Sequence, residues 1–379
     1  MSWMEMSMMS QRKEFVALAM AEEANISELC RRYRISRKTG YKWIARAASG
    51  EGDWARDRGR RPHRSQGQIS AELEEAILEV RDKHPVWGAR KIRNCLERAG
   101  CKKIPAVSTV HAVLRRRGEL KKRPVSQPSQ MKRFERESPN ELWQMDFKEG
   151  FQTARGPCHP LTILDDHSRF SVSVRACSNQ RESTVRSSLI STFQRYGLPE
   201  QMLMDNGSCW GRATSRYTKL GAWLIRLGIA IRHGRFYHPQ TQGKNERFNQ
   251  TLGLEAIQGR NFHDLKACQR AFDEFRHCYN HHRPHEALGM QSPVSRYQVS
   301  AFTYPQKLTP IQYPSTDEVR KVIPAGAVSY KNHFYQVGRA FSGQPVALRS
   351  TESDGVLAVY YCHHQIAEIN LHKRSCRQC

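Results

Sequence analysis

Near the start of the chain, apolar positions recur at three and four residues. Phe15, Leu18 and Ala19 form one such set, and Leu29, Cys30 and Tyr33 another, which predicts two amphipathic helices. After a break at Arg34-Ile35-Ser36, Ser36 is a good N-cap for a third helix. Tyr41, Ile44 and Ala45 are expected to face inward there, with Arg37, Lys38 and Lys42 facing out. Short helices around a tight turn, the last one basic, predict a helix-turn-helix over 9–50. A polar stretch with Gly and Pro, containing Arg58, Arg60 and Arg61, reads as a linker over 51–69. Leu73, Ile77 and Val80 then return to helical spacing, followed by "VWGARKIRNCLERAG" and "STVHAVLRRRGEL". These predict a second helix-turn-helix over 70–120, with Ser108 as N-cap and Arg115, Arg116 and Arg117 closing its last helix. Residues 121–139, basic and proline-bearing, read as a second linker.

The period then changes. "LWQMDF" alternates, with Trp143, Met145 and Phe147 on one side and Gln144 and Asp146 on the other. "HPLTILDDHSRFSVSVRAC" predicts two strands around a turn at Asp165-Asp166. A helix carrying Val185, Leu189 and Phe193 follows and stops at Gly197. Next come a strand ending at "MDNG", a helix with Leu220, Trp223, Leu224 and Leu227, and the strand "GIAIRHG". A long amphipathic helix with Leu265, Phe272, Phe275 and Tyr279 closes the block. Strands followed by alternating helix and strand predict a mixed sheet flanked by helices over 140–300. Beyond residue 315 the runs are short and strand-like, with Asn332 and Asp354-Gly355 as turn residues, which predicts a small β-barrel over 316–373. The fold class is therefore multidomain: all-α units, an α/β core and a small β-barrel.

Charge turns this architecture toward a partner. The 379 residues hold 61 Lys+Arg against 36 Asp+Glu, a net +25, which favours a polyanion such as nucleic acid. Residues 31–64 hold 12 Lys/Arg and 3 Asp/Glu, so 12 − 3 gives +9 in that segment alone. No apolar run approaches the ~18 residues of a membrane span, and the first residues lack a signal peptide's apolar stretch. A soluble, cytoplasmic protein with no membrane partner is expected. The 11 scattered cysteines fit reduced thiols better than a disulfide framework. Cys268, Cys278, His281 and His282 read as buried thiols and solvent histidines. Cys362, His363, His364, Cys376 and Cys379 have some zinc-like spacing, but a ragged basic tail accounts for them more simply.

Against this basic background, a few carboxylates are candidates for chemistry. Asp146 lies on the polar side of its strand, and Asp205 ends another strand before Asn206-Gly207. In open α/β sheets such strand ends border the ligand crevice. In "HPQTQGKNERFNQTL", Phe248 and Leu252 define a packing stripe, and Glu246 points away from it. Three converging acids repel one another unless a cation lies between them. Carboxylates are hard oxygen ligands suited to Mg²⁺, and paired ions suit displacement at phosphorus. Asp165 and Asp166 are rival carboxylates, but a hairpin turn explains them.

The runs "WQMDF", "LDDHSRF", "MDNGS" and "HGRFYHPQTQGKNERFNQTL" resemble the integrase-core transposases of bacterial insertion sequences, relatives of retroviral integrases. The resemblance spans nearly the whole chain, with "ELCRRYRISRKTGYKW" and "VWGARKIRNCL" resembling the DNA-binding units of that group. It implies a ribonuclease-H-like core in which Asp146, Asp205 and Glu246 are catalytic and bind two Mg²⁺ ions, with Mn²⁺ as a substitute. It further implies hydrolysis that frees a 3′-hydroxyl at each element end, then transesterification into target DNA. The partners it implies are double-stranded DNA, as terminal inverted repeats and target, and further copies of the chain, at least a dimer on DNA. The setting it implies is the bacterial nucleoid. Arg37, Lys38, Lys42, Arg58, Arg60, Arg61, Lys244 and Arg247 are the expected DNA contacts, Lys244 foremost because it lies near Glu246. Asp205 and Glu246 are 40 residues apart, more than in the retroviral relatives. The extra length is expected at the helix over 214–227, on the exterior. A DNA-binding regulator that keeps the fold but cuts nothing is the rival reading.

Overall fold

The computed structural model describes residues 7–50, 52–57, 69–120, 135–204, 217–233 and 243–378. Contacts divide the chain into two compact units, Met1–Ile69 and Ser70–Cys379.

The first unit holds α1 (Met8–Ala19), α2 (Ile26–Arg32) and α3 (Arg37–Ala48). Asn25 caps α2, its side chain accepting from the amides of Ser27 and Glu28. Ser36 caps α3 as expected, accepting from the Thr39 amide at 3.2 Å. Between them Arg34 takes a positive φ of 53°, which tightens the turn. Phe15, Val16, Cys30 and Trp43 form the core. The inward face of α3 differs from the sequence expectation: Gly40 and Trp43 are buried, whereas Tyr41 and Ala45 are exposed. The cause is close helix packing, since a Cβ at Gly40 would lie 2.6 Å from Cys30 Sγ. Only glycine admits that approach, and it rotates Trp43 inward in place of Tyr41. Residues 52–57 fold back on α1, where Arg12 donates to the Ala55 carbonyl at 2.8 Å.

The second unit begins with α4 (Ala71–Lys83), α5 (Ala89–Arg98) and α6 (Val107–Arg116), around buried Ile77, Ile92, Leu96, Val110, Val113 and Leu114. Ser108 does not cap the last of these. The helix starts two residues earlier than that cap implies, at Val107, with Ala106 at the N-cap position and no side-chain capping bond. Arg116 and Arg117 both turn back to Glu74, at 3.4 and 3.5 Å.

The α/β core follows. Its strands are β1 (Leu142–Phe147), β2 (Phe151–Thr153), β3 (Gly156–Asp165), β4 (Ser171–Cys177), β5 (Gln201–Met204) and β6 (Ala230–His233). The sheet order is β2-β3-β1-β5-β6, with β4 also on β3. β1 is antiparallel to β3, β3 to β4, and β1, β5 and β6 run parallel. The helices are α7 (Glu182–Tyr196), α8 (Lys219–Arg226), α9 (Gly243–Leu252) and α10 (Leu265–His281). Alternation along β1 and β3 sends Trp143, Met145 and Ile163 to one face, and the bulge in the β3–β4 ladder turns Val172 to the same side, packed on Val185, Leu189 and Phe193 of α7 and Leu220, Trp223 and Leu224 of α8. Leu164 and Val174 point the other way, onto Phe248 and Leu252 of α9 and Phe272, Phe275 and Tyr279 of α10. The result is the expected mixed sheet between two helical layers.

The helix expected on the exterior is interior. Leu220 to Ile225 of α8 are all buried, because its second face packs on the C-terminal domain through Ala222 and Ile225. That domain contains β7 (Glu318–Lys321), β8 (Ala327–Tyr330), β9 (His333–Gln336), β10 (Pro345–Ser350), β11 (Val356–Tyr361), β12 (His364–Asn370) and β13 (Ser375–Gln378). A five-stranded antiparallel sheet runs β13-β12-β11-β10-β7, and the β8-β9 hairpin lies against both of its edge strands. The expected turn residues hold, with Asn332 at φ 60° and Gly355 at φ 70°. The tail is not ragged: it is β13, paired with β12 so that Cys376 lies opposite Ile369 and packs on the apolar core. Among the described residues, no helix is long and apolar enough to cross a membrane.

Candidate active site and nucleic-acid interface

The polar positions of β1 set up the site. Thr162 stands opposite Asp146 across the β1–β3 ladder. Its hydroxyl lies 3.1 Å from the Asp146 carbonyl and 3.4 Å from Asn245 Oδ1, and its one proton serves either acceptor. Asn245 and Asn249 are buried on α9 at i, i+4, one step around from the Phe248–Leu252 stripe. Asn249 Nδ2 donates to Asp146 Oδ2 at 3.0 Å. Helix α9 is therefore fixed to β1 at the aspartate. Glu246 sits about 100° around the helix from Asn245 and is exposed, as is Arg247.

The sheet thus brings Asp146 beside the helix that carries Glu246. β5, which pairs in parallel with β1, ends at Met204, while Asp205 lies outside the described residues. Among the described residues, no three His, Cys, Asp or Glu gather as a metal site. What is described suits a hard divalent cation: Asp146 and Glu246 offer carboxylate oxygens. Asn249 Oδ1, beside Asp146, is buried without a hydrogen-bond partner among the described residues.

The rival carboxylates serve the turn after β3. Asp165 accepts from the amides of Asn140 at 2.8 Å and Ser168 at 2.8 Å, and from the Ser168 hydroxyl. Burial pushes its carboxyl above the usual range, against those hydrogen bonds. Asp166 accepts from Gln144 Nε2 at 2.7 Å and the Arg136 amide at 2.9 Å. The remaining donor is Lys244. Its ammonium lies 2.6 Å from Asp166 Oδ2 and donates to the Asp166 carbonyl at 3.0 Å. The lysine expected to meet the DNA end is thus turned inward, with only 16% of its side chain exposed and none of the aspartate's. Burial lowers the pKa of Lys244, and Asp166 opposes that shift. Nothing in the sequence pairs these residues, which are separated by three strands and two helices.

The basic residues expected on α3 are exposed: Arg37, Lys38 and Lys42. Tyr41, missed as an outward residue, joins them at 57% exposure. Its signal was its place between Lys38 and Lys42 at helical spacing. The buried Trp43 ring carries Arg12 at 4.2 Å, Arg46 at 4.8 Å and Lys42 at 5.1 Å from its centroid, so cation–π attraction helps set these side chains. Arg58, Arg60 and Arg61 lie outside the described residues. On α6, Ser108, His111, Ala112 and Arg115 are exposed at helical spacing. Cys268 is buried and His281 and His282 are exposed, in keeping with the sequence reading, whereas Cys278, also expected to be buried, is half-buried.

Comparison with known proteins agrees along the chain. Residues 11–63 match a helix-turn-helix domain and 39–114 a homeodomain-like domain. Residues 136–239 and 227–293 match integrase core domains, and 317–377 match the C-terminal domain of IS481 family transposases. Among solved structures, the simian T-cell lymphotropic virus intasome aligns with TM-score 0.38 and 16% identity, over 74% of this chain and 91% of that one. The HTLV-2 integrase catalytic core in complex with magnesium aligns with TM-score 0.32 and 13% identity, over 43% of this chain and 99% of that one. The BIV integrase catalytic core gives 0.31 and 23%, over 41% and 92%. The sequence models, not these superpositions, carry the assignment.

Proposed function

We propose, from the premise that the chain is an insertion-sequence transposase with an integrase core and hence a polynucleotidyl transferase, that it binds the terminal inverted repeats of its element and joins their 3′-ends to target DNA. The observation that carries this reading is the hydrogen bond from Asn249 to Asp146, which fixes the helix bearing Glu246 against the strand bearing Asp146. Asp146, Asp205 and Glu246 form the catalytic set and hold divalent metal, Mg²⁺ or Mn²⁺, two ions in all. Bound there, the cations lower the cost of charge developing on the attacking and leaving oxygens. The chain's own residues do the rest. Asn249 orients the Asp146 carboxylate, and the Thr162 hydroxyl can hold the Asp146 carbonyl beneath it.

Arg37, Lys38 and Lys42, with Tyr41, form the recognition face, since α3 offers them to solvent on the second helix of a helix-turn-helix. Arg58, Arg60, Arg61 and Arg247 add phosphate contacts. Hydrolysis first frees a 3′-hydroxyl at the element end, and that hydroxyl then attacks a target phosphate by transesterification. Joining two ends to one target calls for at least two copies of the chain on DNA, and the nucleoid is the expected setting.

Joining of a labelled oligonucleotide bearing the terminal repeat to plasmid DNA, with Mg²⁺ or Mn²⁺, tests this. Metal-dependent joining is expected of the unsubstituted chain, and Glu246→Gln is expected to abolish it while DNA binding persists. Equal joining by both would remove Glu246 from the mechanism. DNA binding without joining by either would favour a non-catalytic regulator.

A further inference from the structure

Lys244 stands in an unfavourable place for an ammonium. It is in the first turn of α9, where the helix dipole opposes positive charge, and it is largely removed from water. A phosphate-seeking lysine needs neither condition. Among the described residues the charge is offset chiefly by Asp166, whose carboxylate is fully buried and takes the ammonium at 2.6 Å, with Glu135 adding to it. The same carboxylate accepts from Gln144 at 2.7 Å, and Gln144 lies two residues before Asp146 on the same face of β1. Lys244 lies two residues before Glu246 on α9. One buried carboxylate therefore ties the strand of Asp146 to the helix of Glu246, and the Arg136 amide at 2.9 Å adds the segment entering β1.

The geometry points to Lys244 and Asp166 as positioning residues: their buried ion pair sets where Glu246 stands relative to Asp146, and Lys244 does not contact DNA. The inference rests on the reading of Asp146 and Glu246 as the reactive carboxylates. It complements the bond from Asn249 to Asp146, which fixes α9 one turn further along. Two attachments, ahead of Glu246 and behind it, leave the helix no freedom to turn about its axis or slide along β1. Misplacement of a reacting group by about 1 Å is enough to cost ~100-fold in rate.

The test uses the full chain with Lys244→Met, Asp166→Asn, the double variant and Lys244→Arg. Joining of the terminal-repeat oligonucleotide is expected to fall roughly 10- to 100-fold in each single variant and no further in the double. Lys244→Arg, which keeps the cation, is expected to recover most of the rate. The dependence of DNA affinity on salt is expected to stay that of the unsubstituted chain. A readout without turnover is the rise in unfolding temperature on adding Mn²⁺, which is expected to need more Mn²⁺ in Lys244→Met and Asp166→Asn. A salt slope shallower by about 0.9 in Lys244→Met, with losses that add in the double variant, would put Lys244 on a phosphate and overturn the inference. An unchanged Mn²⁺ response together with unchanged joining would overturn it as well. Failure of the unsubstituted chain to join DNA would remove the proposed function, and the Mn²⁺ response would then decide the positioning role by itself.

Discussion

Helices α3 and α9 begin alike and end in opposite roles. Each carries lysine in its first turn, Lys38 in one and Lys244 in the other, without an acidic neighbour in α3 and with Glu246 in α9. Lys38 is exposed with Arg37 and Lys42 on the outward face of a small three-helix unit. Lys244 is turned into the protein against a carboxylate that no water reaches. The same residue type at the same helical position thus serves as a solvated charge for a polyanion in one region and as an internal tie in the other. The surroundings make the difference: α3 lies over an apolar core with Trp43 beneath it, whereas α9 crosses a sheet whose turn after β3 presents Asp166.

The largest effect expected from this contrast is on stability. Asp166→Ala leaves Lys244, Gln144 Nε2 and the Arg136 amide without their common acceptor. A cost of about 3 kcal/mol is expected, read by denaturant unfolding, whereas Arg37→Ala is expected to change stability by less than about 0.5 kcal/mol. Equal losses would erase the distinction between the two helices. Next in size is binding. Alanine at Arg37, Lys38 and Lys42 together is expected to flatten the slope of log K against log[salt] by about 2.7, at about 0.9 per phosphate contact, and to remove preference for element ends. An unchanged slope in titrations from low to moderate salt would move recognition elsewhere.

The smallest effect comes from a third environment, a buried polar group with no partner. His285 packs edge-on against Tyr279 at 4.6 Å, its Nε2 is buried without a hydrogen-bond partner among the described residues, and burial pushes its pKa down to about 3. The folded state keeps the ring neutral while the unfolded chain protonates near pH 6.5, so the unfolded state binds more protons as pH falls. Its contribution is complete above about pH 6.5 and is lost progressively toward pH 3. His285→Gln is expected to make unfolding less sensitive to pH between 7 and 5, by on the order of 1 kcal/mol. Identical pH profiles for the two proteins would show that His285 is solvated.

Much of this could be read from residue order because it depends on local periods. The alternation in "LWQMDF" put Asp146 on the polar face of β1, and Ser36 announced the start of α3. The stripe of Phe248 and Leu252 fixed which way Glu246 turns. The errors arose where a second element intervened. Tyr41 was exchanged for Trp43 because Gly40 meets Cys30. For α8, the signal of burial was present in a run apolar on every side, "LGAWLI", but nothing local says that a β domain covers its second face. Ser108 lost its capping role to a helix that starts two residues earlier than expected.

By itself the sequence determined the order of the elements, the inward faces of most of them, the basic surface and the identity of the candidate acids. Period and charge are properties of neighbouring residues and survive without knowledge of what packs where. Only the tertiary structure decided that Lys244 faces Asp166, that α8 is enclosed on both sides, and that Asn249 holds Asp146. These are contacts between residues distant in the chain. Their free energy depends on burial and on partners, which are fixed only once the sheet and helices have closed on each other.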